Sequence, residues 1–338
     1  MSRKNKYTIC VIPGDGIGPD VVGETMRLLN LLNLGFHFVY ADAGFGAFEK
    51  FGTPLPKETI EKCKMSDAIL FGSVTTPPAI KDYFSPIVQL RKVLDMYANI
   101  RPFFSLPVRH MQQDIDFVIF RENTEDLYSG KERMTDDGAI AERIITKKAS
   151  EKIIAAAFEF AVREKRKKVT IVHKANVLRL TDGLFLSIGY AIAKKFPKII
   201  CEDMLVDATA MRMVKHPQAF DVLVTTNMFG DILSDEAAAL VGGLGIAASA
   251  NIGDTYALFE PVHGSAPKYM GKNVANPLAC FLASVMMLDY LGEQKASKKI
   301  KQAMMKTLEE NIMTKDLGGK NSMSEFTDRV IKNFNARI

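Results

Sequence analysis

Short apolar segments alternate with stretches of helical periodicity along most of the chain, and this alternation constrains the fold more than any other feature of the sequence. The apolar segments span residues 7–12, 36–40, 68–71, 116–120, 168–173, 199–206 and 220–225. Helical periodicity covers, among other intervals, residues 149–165, 181–195 and 207–216. Buried strands that alternate with helices predict an α/β protein whose sheets are covered by helices.

The length of the chain predicts two lobes, because 338 residues exceed what one hydrophobic core usually holds. No repeat or low-complexity linker marks a boundary, so the lobes are expected to be interwoven rather than consecutive. The polar, glycine-bearing interval 125–146 interrupts the alternation. It predicts a hairpin or an arm.

The composition argues against nucleic-acid binding. Hydrophobic residues make up 47% of the chain and charged residues 25%, with a net charge of +5, which is ordinary for a globular protein. The densest basic run, residues 163–168, ends a helical stretch and has no interleaved aromatic residues. It is typical of a solvated helix end.

Cysteine usage and hydropathy predict a cytoplasmic protein with no membrane segment. Cys10, Cys63, Cys201 and Cys280 are widely scattered, which predicts reduced, mostly buried thiols. The apolar run after the basic N-terminus stops at Pro13, and no apolar span of 18 residues follows, so neither an export signal nor a spanning helix is expected. The histidines lack metal-ligand spacing, so no zinc site is expected.

An acidic pair follows the apolar segment that ends at Thr225. Asp231 and Asp235 are four residues apart in a helical stretch, so both carboxylates lie on one helical face. Two interpretations follow from this spacing. The face is solvated, or the carboxylates share a divalent cation that prefers oxygen ligands.

A glycine-rich turn after the first strand superficially matches a dinucleotide motif. The sequence from Gly14 to Gly18 leads into a helix, but the third glycine of G-x-G-x-x-G would fall at Pro19. Asp15 would also repel a pyrophosphate. A Rossmann phosphate loop is therefore not expected there.

A second loop, residues 260–276, is the better candidate for binding a nucleotide. Its small residues let the backbone approach a ligand. His263, Ser265 and Asn276 supply donors, and Lys268 supplies a cation. The alternative is an ordered surface turn.

Several cationic side chains are placed next to predicted strands. Arg91, Arg101 and Arg121 could clamp a polycarboxylate by forked hydrogen bonds, or could form ordinary surface ion pairs. Lys174 follows a buried strand, where open α/β sheets build their sites. Asp207 begins a helix, and its simplest interpretation is a carboxylate at a helix start.

Taken together, these segments resemble the isocitrate, homoisocitrate and 3-isopropylmalate dehydrogenases, which are metal-dependent β-decarboxylating dehydrogenases. The likeness extends over nearly the whole chain. Its motifs lie at residues 13–19, 90–92, 99–102, 121–128, 173–176, 206–208, 227–235, 263–267 and 316–319.

The resemblance implies the α/β fold of these enzymes, which is not a Rossmann fold. Residues 1–98 plus 246–338 would form a large lobe on the cofactor side. Residues 99–245 would form a small lobe with the dimer interface and an arm at about 125–146. The implied assembly is a homodimer with shared active sites.

The resemblance also implies residue roles. Arg91, Arg101 and Arg121 would hold the malate core of a small polycarboxylate. The metal, Mg²⁺ or Mn²⁺, would be bound by Asp231 and Asp235 of one subunit and by Asp207 of the other.

Two further residues would move protons. Lys174, also from the second subunit, would accept the hydroxyl proton of the substrate. Tyr128 would protonate the enolate carbon after loss of CO₂.

For the cofactor, the resemblance implies binding by Thr75, Asn227, Glu260, His263, Gly264, Ser265, Ala266, Lys268, Tyr269 and Asn276. Lys268 and Tyr269 stand where NAD-using relatives carry an acidic and an aliphatic residue, which favours the 2′-phosphate of NADP. Lys315 and Asp316 resemble the NAD-type pattern instead. NADP is therefore the expected cofactor, with NAD as the alternative.

For the substrate, the decisive segment contains Ser85, Ile87 and Val88. Ser85 resembles isocitrate enzymes, whereas the apolar pair resembles 3-isopropylmalate enzymes. Isocitrate is the expected substrate, and 3-isopropylmalate, homoisocitrate and a tartrate-type acid are alternatives. A non-catalytic regulatory subunit is disfavoured, because the metal, substrate and proton-transfer residues are all present.

Overall fold

The computed structural model describes residues 6–77, 80, 83–108 and 111–336. The basic residues 1–5 of the N-terminus lie outside these ranges. The strands are β1 (Tyr7–Gly14), β2 (Phe36–Tyr40), β3 (Ala68–Ser73), β4 (Ala98–Phe104), β5 (Asp116–Glu122), β6 (Glu132–Met134), β7 (Ala139–Ala141), β8 (Lys168–His173), β9 (Ile200–Leu205), β10 (Val222–Thr225), β11 (Ala248–Ile252) and β12 (Ala257–Pro261).

Helices cover both faces of the large sheet. They are α1 (Gly18–Leu29), α2 (Phe45–Phe51), α3 (Lys57–Lys64), α4 (Pro86–Val93), α5 (Lys147–Arg163), α6 (Thr181–Ala193), α7 (Val206–Lys215), α8 (Asn227–Val241), α9 (Leu278–Tyr290), α10 (Gln294–Glu309) and α11 (Met323–Asn335). Among the described residues, no helix combines the length and apolar character that a bilayer crossing requires.

Ten strands form one mixed sheet in the order β2-β1-β3-β12-β11-β4-β5-β10-β8-β9. The pairs β12–β11, β11–β4 and β4–β5 are antiparallel, and the other neighbours are parallel. Strands β3 and β10 are buried at every position, as expected for parallel strands covered on both faces. The predicted α/β architecture is confirmed.

The antiparallel centre of the sheet joins two groups of strands. Strands β2, β1, β3, β12 and β11 come from residues 1–98 and 246–338, whereas β4, β5, β10, β8 and β9 come almost entirely from residues 99–245. The division into two lobes at these boundaries stays a prediction.

Alternating residues of β5 and β10 contribute to two of the hydrophobic cores. Ile119 and Leu223 belong to a large core built mainly with α9, α10 and α11. Phe120 and Val224 belong to a second core with α5 and α6. Because neighbouring residues of a strand point to opposite faces, these two cores lie on opposite sides of the sheet.

Most sequence-predicted elements are confirmed to within a few residues. The interval 125–146 contains the antiparallel hairpin of β6 and β7, as predicted. The predicted burial of Cys10, Cys63 and Cys280 is confirmed, while Cys201 is half-buried. Strands β4, β11 and β12 are absent from the predicted set, because polar residues interrupt their apolar pattern.

Candidate active site

A cleft of about 220 Å³ lies where the ends of β3 and β12 meet α4 and α8. It is bordered by the antiparallel centre of the sheet. Predicted site residues that line it are Ser85, Ile87, Arg91, Arg101, Arg121, Tyr128, Asp231, Glu260, His263 and Gly264.

Arg91 reaches the cleft from α4. Its Nη2 donates to Oε1 of Glu260 at 2.8 Å, and both side chains are buried. Its Nε is also buried but has no hydrogen-bond partner among the described residues. Buried donors are normally paired, so this side of the guanidinium is suited to a ligand.

Arg101 projects from β4 and is held by two neutral acceptors. Its Nε donates to Oδ1 of Asn99 at 2.5 Å, and its Nη1 donates to Oγ of Ser234 at 2.7 Å. Burial, together with the nearby charge of Arg121, lowers the pKa of Arg101 to about 9. An anion in the cleft would relieve this electrostatic cost.

Arg121 lies at the end of β5 and is oriented by Asn227. Oδ1 of Asn227 accepts from Nε at 3.0 Å and from Nη2 at 2.8 Å. Burial and the charge of Arg91 lower the pKa of Arg121. Asn227 is itself buried, so the structure gives this predicted cofactor residue a positioning role, and its contact with a cofactor stays a prediction.

Asp231 lies on α8 opposite Arg121 and pairs with its Nη1. Burial raises the pKa of Asp231, but Arg121 and Arg101 outweigh that effect and hold it below its ordinary value. The Tyr128 hydroxyl donates to the other carboxylate oxygen. Burial, followed by this bond, raises the pKa of Tyr128, which keeps the phenol protonated as a proton donor must be.

Asp235 lies one turn further along α8, and its side chain is 57% exposed. Its Oδ1 lies 3.9 Å from Nη1 of Arg101, and Oδ1 of Asp231 lies 3.5 Å from Nη2. The two carboxylates therefore share one helical face, as the spacing predicts. They provide hard oxygen atoms that suit a divalent cation.

Lys174 and Asp207 form a pair of their own. Lys174 follows β8, Asp207 lies in the first turn of α7, and Nζ donates to Oδ1 at 2.5 Å. This bond lowers the pKa of Asp207. Over the described ranges, no three His, Cys, Asp or Glu side chains are arranged to hold a metal, so one chain does not gather Asp207 with Asp231 and Asp235.

The turn at Lys174 is anchored by a buried network that the sequence did not reveal. The Lys174 backbone N–H donates to Oδ2 of Asp182 at 2.5 Å, and Asp182 also pairs with Arg143. Arg143 further donates to Asp126 at 2.8 Å and to Thr226 at 2.9 Å. Arg143 thus ties the base of the hairpin arm to the Lys174 turn.

The three predicted specificity residues occupy different positions around α4. Ser85 precedes the helix and its hydroxyl makes no capping bond. Ile87 lines the cleft with Arg91, since residues four apart share a helical face. Val88 is half-buried and is not among the residues that line the cleft, because it points about 100° away from Ile87.

The loop after β12 contains open donors next to the cleft. Thr75 Oγ1 lies 2.7 Å from Ser265 Oγ, which joins this loop to the segment after β3. Nε2 of His263 is buried without a partner among the described residues, and burial lowers the pKa of His263. Because buried nitrogens are normally hydrogen-bonded, a ligand atom is the expected partner of His263 Nε2. Further along the loop, Ala266 has a left-handed backbone (φ 37°).

The outer part of this loop is more exposed. Lys268 Nζ lies 4.8 Å above the centre of the Tyr269 ring. Asn276 Nδ2 donates to Oδ2 of Asp316 at 2.9 Å. The structure therefore links Asn276 to Asp316, the residue whose sequence context favoured NAD.

Asp15 joins the glycine-rich turn after β1 to two neighbouring segments of the chain. Its carboxylate accepts the backbone N–H groups of Phe45, Gly46 and Thr75 at 2.7, 2.9 and 2.8 Å. At Gly14, a Cβ would lie 2.0 Å from the Ser73 carbonyl oxygen. The turn is a packed structural junction.

One polar residue of β11 lines the cleft, and a second supports it. Ser249 lines it. Asn251 donates to Glu260 at 2.7 Å and accepts from Asn99 at 2.7 Å. A buried chain of hydrogen bonds therefore links the pair Arg91–Glu260 to Arg101. Sequence periodicity gave no signal for these residues, since β11 was not among the predicted strands.

Three buried arginines, a tyrosine and a carboxylate converge on one cleft, an arrangement of the kind found in enzyme active sites. The comparisons with known proteins agree. A family model described as isocitrate/isopropylmalate dehydrogenase matches residues 8–330. The chain belongs to this family of oxidative decarboxylating dehydrogenases.

The similar proteins are dehydrogenases named for different acids. Homoisocitrate dehydrogenase of Methanocaldococcus jannaschii is 50% identical over 96% of this chain and 96% of its own. 3-Isopropylmalate dehydrogenase of Methanothermobacter thermautotrophicus is 50% identical over 96% and 97%. The crystal structure of isocitrate dehydrogenase from Methylococcus capsulatus superposes with a TM-score of 0.94 at 44% identity, covering 98% of this chain and all of that one. The predicted fold is confirmed.

Proposed function

We propose that the chain catalyses oxidative decarboxylation of a 2-hydroxy-3-carboxy acid with NADP⁺ or NAD⁺, and that isocitrate is the substrate. The observation that carries this proposal is the convergence of Arg91, Arg101 and Arg121 on one cleft beside Tyr128 and Asp231. Guanidinium groups bind carboxylates by paired, charge-assisted hydrogen bonds. A polycarboxylate suits a cleft on which three guanidinium groups converge.

Ser85 supports isocitrate. Its hydroxyl borders the cleft and makes no capping bond with α4, so it can donate to the extra carboxylate that isocitrate carries. Ile87 supports a second candidate, 3-isopropylmalate, because it presents an apolar side chain to the same cleft. Homoisocitrate remains the third acid to be compared.

The oxygen atoms of Asp231 and Asp235 fit Mg²⁺ or Mn²⁺, with Asp207 of a second chain as the third carboxylate. When bound, the cation would polarise the substrate oxygens, and the nicotinamide would accept hydride. Lys174 of the second chain would accept the hydroxyl proton. Tyr128, kept protonated by its surroundings, would return a proton to carbon.

The proposal includes a homodimer. Large apolar side chains are exposed around Lys174 and along α7 and α8: Leu180 is 88% exposed, Ile232 56% and Met211 58%. Exposed apolar patches mark interaction surfaces, and α7 and α8, which contain Met211 and Ile232, pack against each other. A second chain that covers them would bring Lys174 and Asp207 towards its neighbour's cleft.

The cytoplasmic location stays a prediction.

Steady-state kinetics on the purified chain test the function. The ratio kcat/KM is measured for isocitrate, homoisocitrate and 3-isopropylmalate, each with NADP⁺ and NAD⁺ and with Mg²⁺ or Mn²⁺. We expect isocitrate to be preferred. A preference for 3-isopropylmalate would contradict the substrate assignment, and no turnover of any acid would contradict the reaction.

A further inference from the structure

The Ser249 hydroxyl is a buried polar group that has no hydrogen-bond partner among the described residues. Ser249 lies on β11 and is 1% exposed. Its Oγ makes no hydrogen bond with any described residue, although it lines the cleft. Because buried hydroxyls in folded proteins are normally hydrogen-bonded, this one is suited to an atom of a bound molecule.

Strand register places Ser249 between the charged groups of the cleft. Ser249 is the direct partner of Glu260 in the antiparallel β11–β12 pair. In the β11–β4 pair, Ala250 faces Ile100 and Asn251 faces Asn99, so one further step along the same register brings Ser249 opposite Arg101. Directly opposed side chains share a sheet face, with Cβ atoms about 5 Å apart.

The surroundings of Ser249 favour an anionic ligand. On one side lies Arg101. On the other, Glu260 is already occupied by Arg91 and Asn251. Among the described residues, Arg91 Nε is likewise a buried donor of the cleft without a partner. The Ser249 hydroxyl and this N–H group, with the Arg101 guanidinium beside Ser249, suit a carboxylate, which accepts several hydrogen bonds at once.

We propose that Ser249 donates a hydrogen bond to a carboxylate of the malate core of the substrate, beside Arg91 and Arg101. This inference rests on the proposed function, because it assigns a new contact to the same site. It makes Ser249 a substrate-binding residue. Since isocitrate, homoisocitrate and 3-isopropylmalate share the malate core, the contribution of Ser249 is the same for all three acids.

The substitution Ser249→Ala tests the contact. We expect the KM of each acid that is turned over to rise about 10-fold, the size of one hydrogen bond to a charged group, and the KM of the nucleotide to stay within about two-fold. The matched control is Ser284→Ala, which removes a buried hydroxyl that donates to the Phe281 carbonyl in α9. The control should leave every KM unchanged.

Equilibrium binding of malate, measured by calorimetry in the presence of Mg²⁺, separates this inference from the proposed function. We expect Ser249→Ala to weaken malate binding about 10-fold. Unchanged malate binding and unchanged KM values in a folded variant would overturn the inference and leave the function standing. A change confined to one acid, or an equal change in the nucleotide KM, would also overturn it. Failure of the wild type to turn over any acid would overturn the function, while malate binding would still decide the role of Ser249.

Discussion

Asp231 and Arg121 form an ion pair across the cleft, so the carboxylate assigned to the metal already neutralises an arginine assigned to the substrate. The Arg121 side chain is almost fully buried, and Arg101 lies 3.5 Å from the same carboxylate oxygen. Without a ligand, Asp231 offsets the repulsion between two buried guanidinium groups. With a substrate anion in place, the arginines would gain another partner and the carboxylate would be available to a cation.

Replacing Asp231 tests this double role. Asp231→Asn removes both a metal ligand and the counter-charge of Arg121, so we expect kcat/KM to fall by at least about 100-fold. The free energy of unfolding should fall by about 1 kcal/mol, a modest loss because the Asp231 side chain, unlike that of Arg121, is 37% exposed. Steady-state kinetics and urea unfolding measure the two effects. Glu236→Gln, an acid on the same helix outside the cleft lining, is the control, and equal losses in both variants would contradict the role of Asp231.

Glu260→Gln tests the buried pair with Arg91. Both side chains are more than nine-tenths buried, so loss of the charge leaves a buried guanidinium without its counter-ion. We expect the free energy of unfolding to fall by about 3 kcal/mol, together with a higher KM for the acid. Glu58→Gln breaks the exposed pair with Lys62 on α3 and should change stability by less than about 0.5 kcal/mol. If both variants unfold at the same urea concentration, the pair with Arg91 does not stabilise the fold.

The raised pKa of Glu125, at the base of the arm, predicts that the stability of the protein depends on pH. Burial raises the pKa of Glu125 from 4.5 to about 7, although its carboxylate accepts the Thr146 N–H. The folded state therefore binds its proton more tightly than the unfolded state does. Protonated Glu125 therefore contributes to the free energy of unfolding. This contribution is fully present below pH 4.5 and is lost as the pH rises to about 7.

The substitution Glu125→Gln removes this titration and keeps the acceptor for Thr146. We expect the variant to be more stable than the wild type at pH 8 and about equal to it at pH 4.5, as measured by urea unfolding at both pH values. Glu132→Gln, on the exposed hairpin, is the control. If the difference between Glu125→Gln and the wild type is the same at both pH values, Glu125 does not titrate as stated.

The substitution Lys268→Asp tests the preference for NADP⁺ over NAD⁺. The Lys268 ammonium lies above the exposed Tyr269 ring, at the outer end of the loop that contains His263. We expect Lys268→Asp to lower the ratio of kcat/KM for NADP⁺ to that for NAD⁺ by about 10-fold or more, because an acid repels a 2′-phosphate. The control is Lys272→Asp, which makes the same charge change four residues further along the chain and should shift the ratio less. An unchanged ratio for Lys268→Asp, or an equal shift in both variants, would contradict the assignment.

The elements that the sequence predicts best are those buried on both faces. Strands β3 and β10 contain uninterrupted apolar runs, residues 68–71 and 222–224, so their positions follow from hydropathy alone. Strands β4 and β11 contain Asn99, Arg101 and Asn251 inside the sheet. Their apolar pattern is broken at the residues that line or support the cleft, because a site for an anion needs polar groups where a core strand would have apolar ones.

Long-range partners are the part of the site that single-sequence reasoning could not supply. The sequence from Asn227 to Asp235 predicts a site, but nothing in its spacing shows that the Asn227 amide orients Arg121, which is 106 residues earlier. Similarly, Arg143 and Asp182 carry no motif of their own. They become part of the site only because the fold brings the arm against the turn at Lys174.

Mixed dimers test the shared active site. Asp231→Asn damages one half of the proposed site and Lys174→Met damages the other, so each variant alone should be inactive. In a mixed dimer, one site combines both defects and the other combines the intact Asp231 of one chain with the intact Lys174 of its partner. Random assembly of equal amounts should therefore restore about a quarter of wild-type activity.

The matched control mixes Asp231→Asn with Asp235→Asn. These residues lie on one helix, so both defects fall in the same half of the site, and random mixing should restore no activity. Activity is measured after co-expression or joint refolding, with the dimer isolated by size. If the first mixture stays inactive although mixed dimers form, Lys174 does not serve the neighbouring chain. Equal recovery in both mixtures would contradict the placement of Asp231 and Asp235 in the same half of one site.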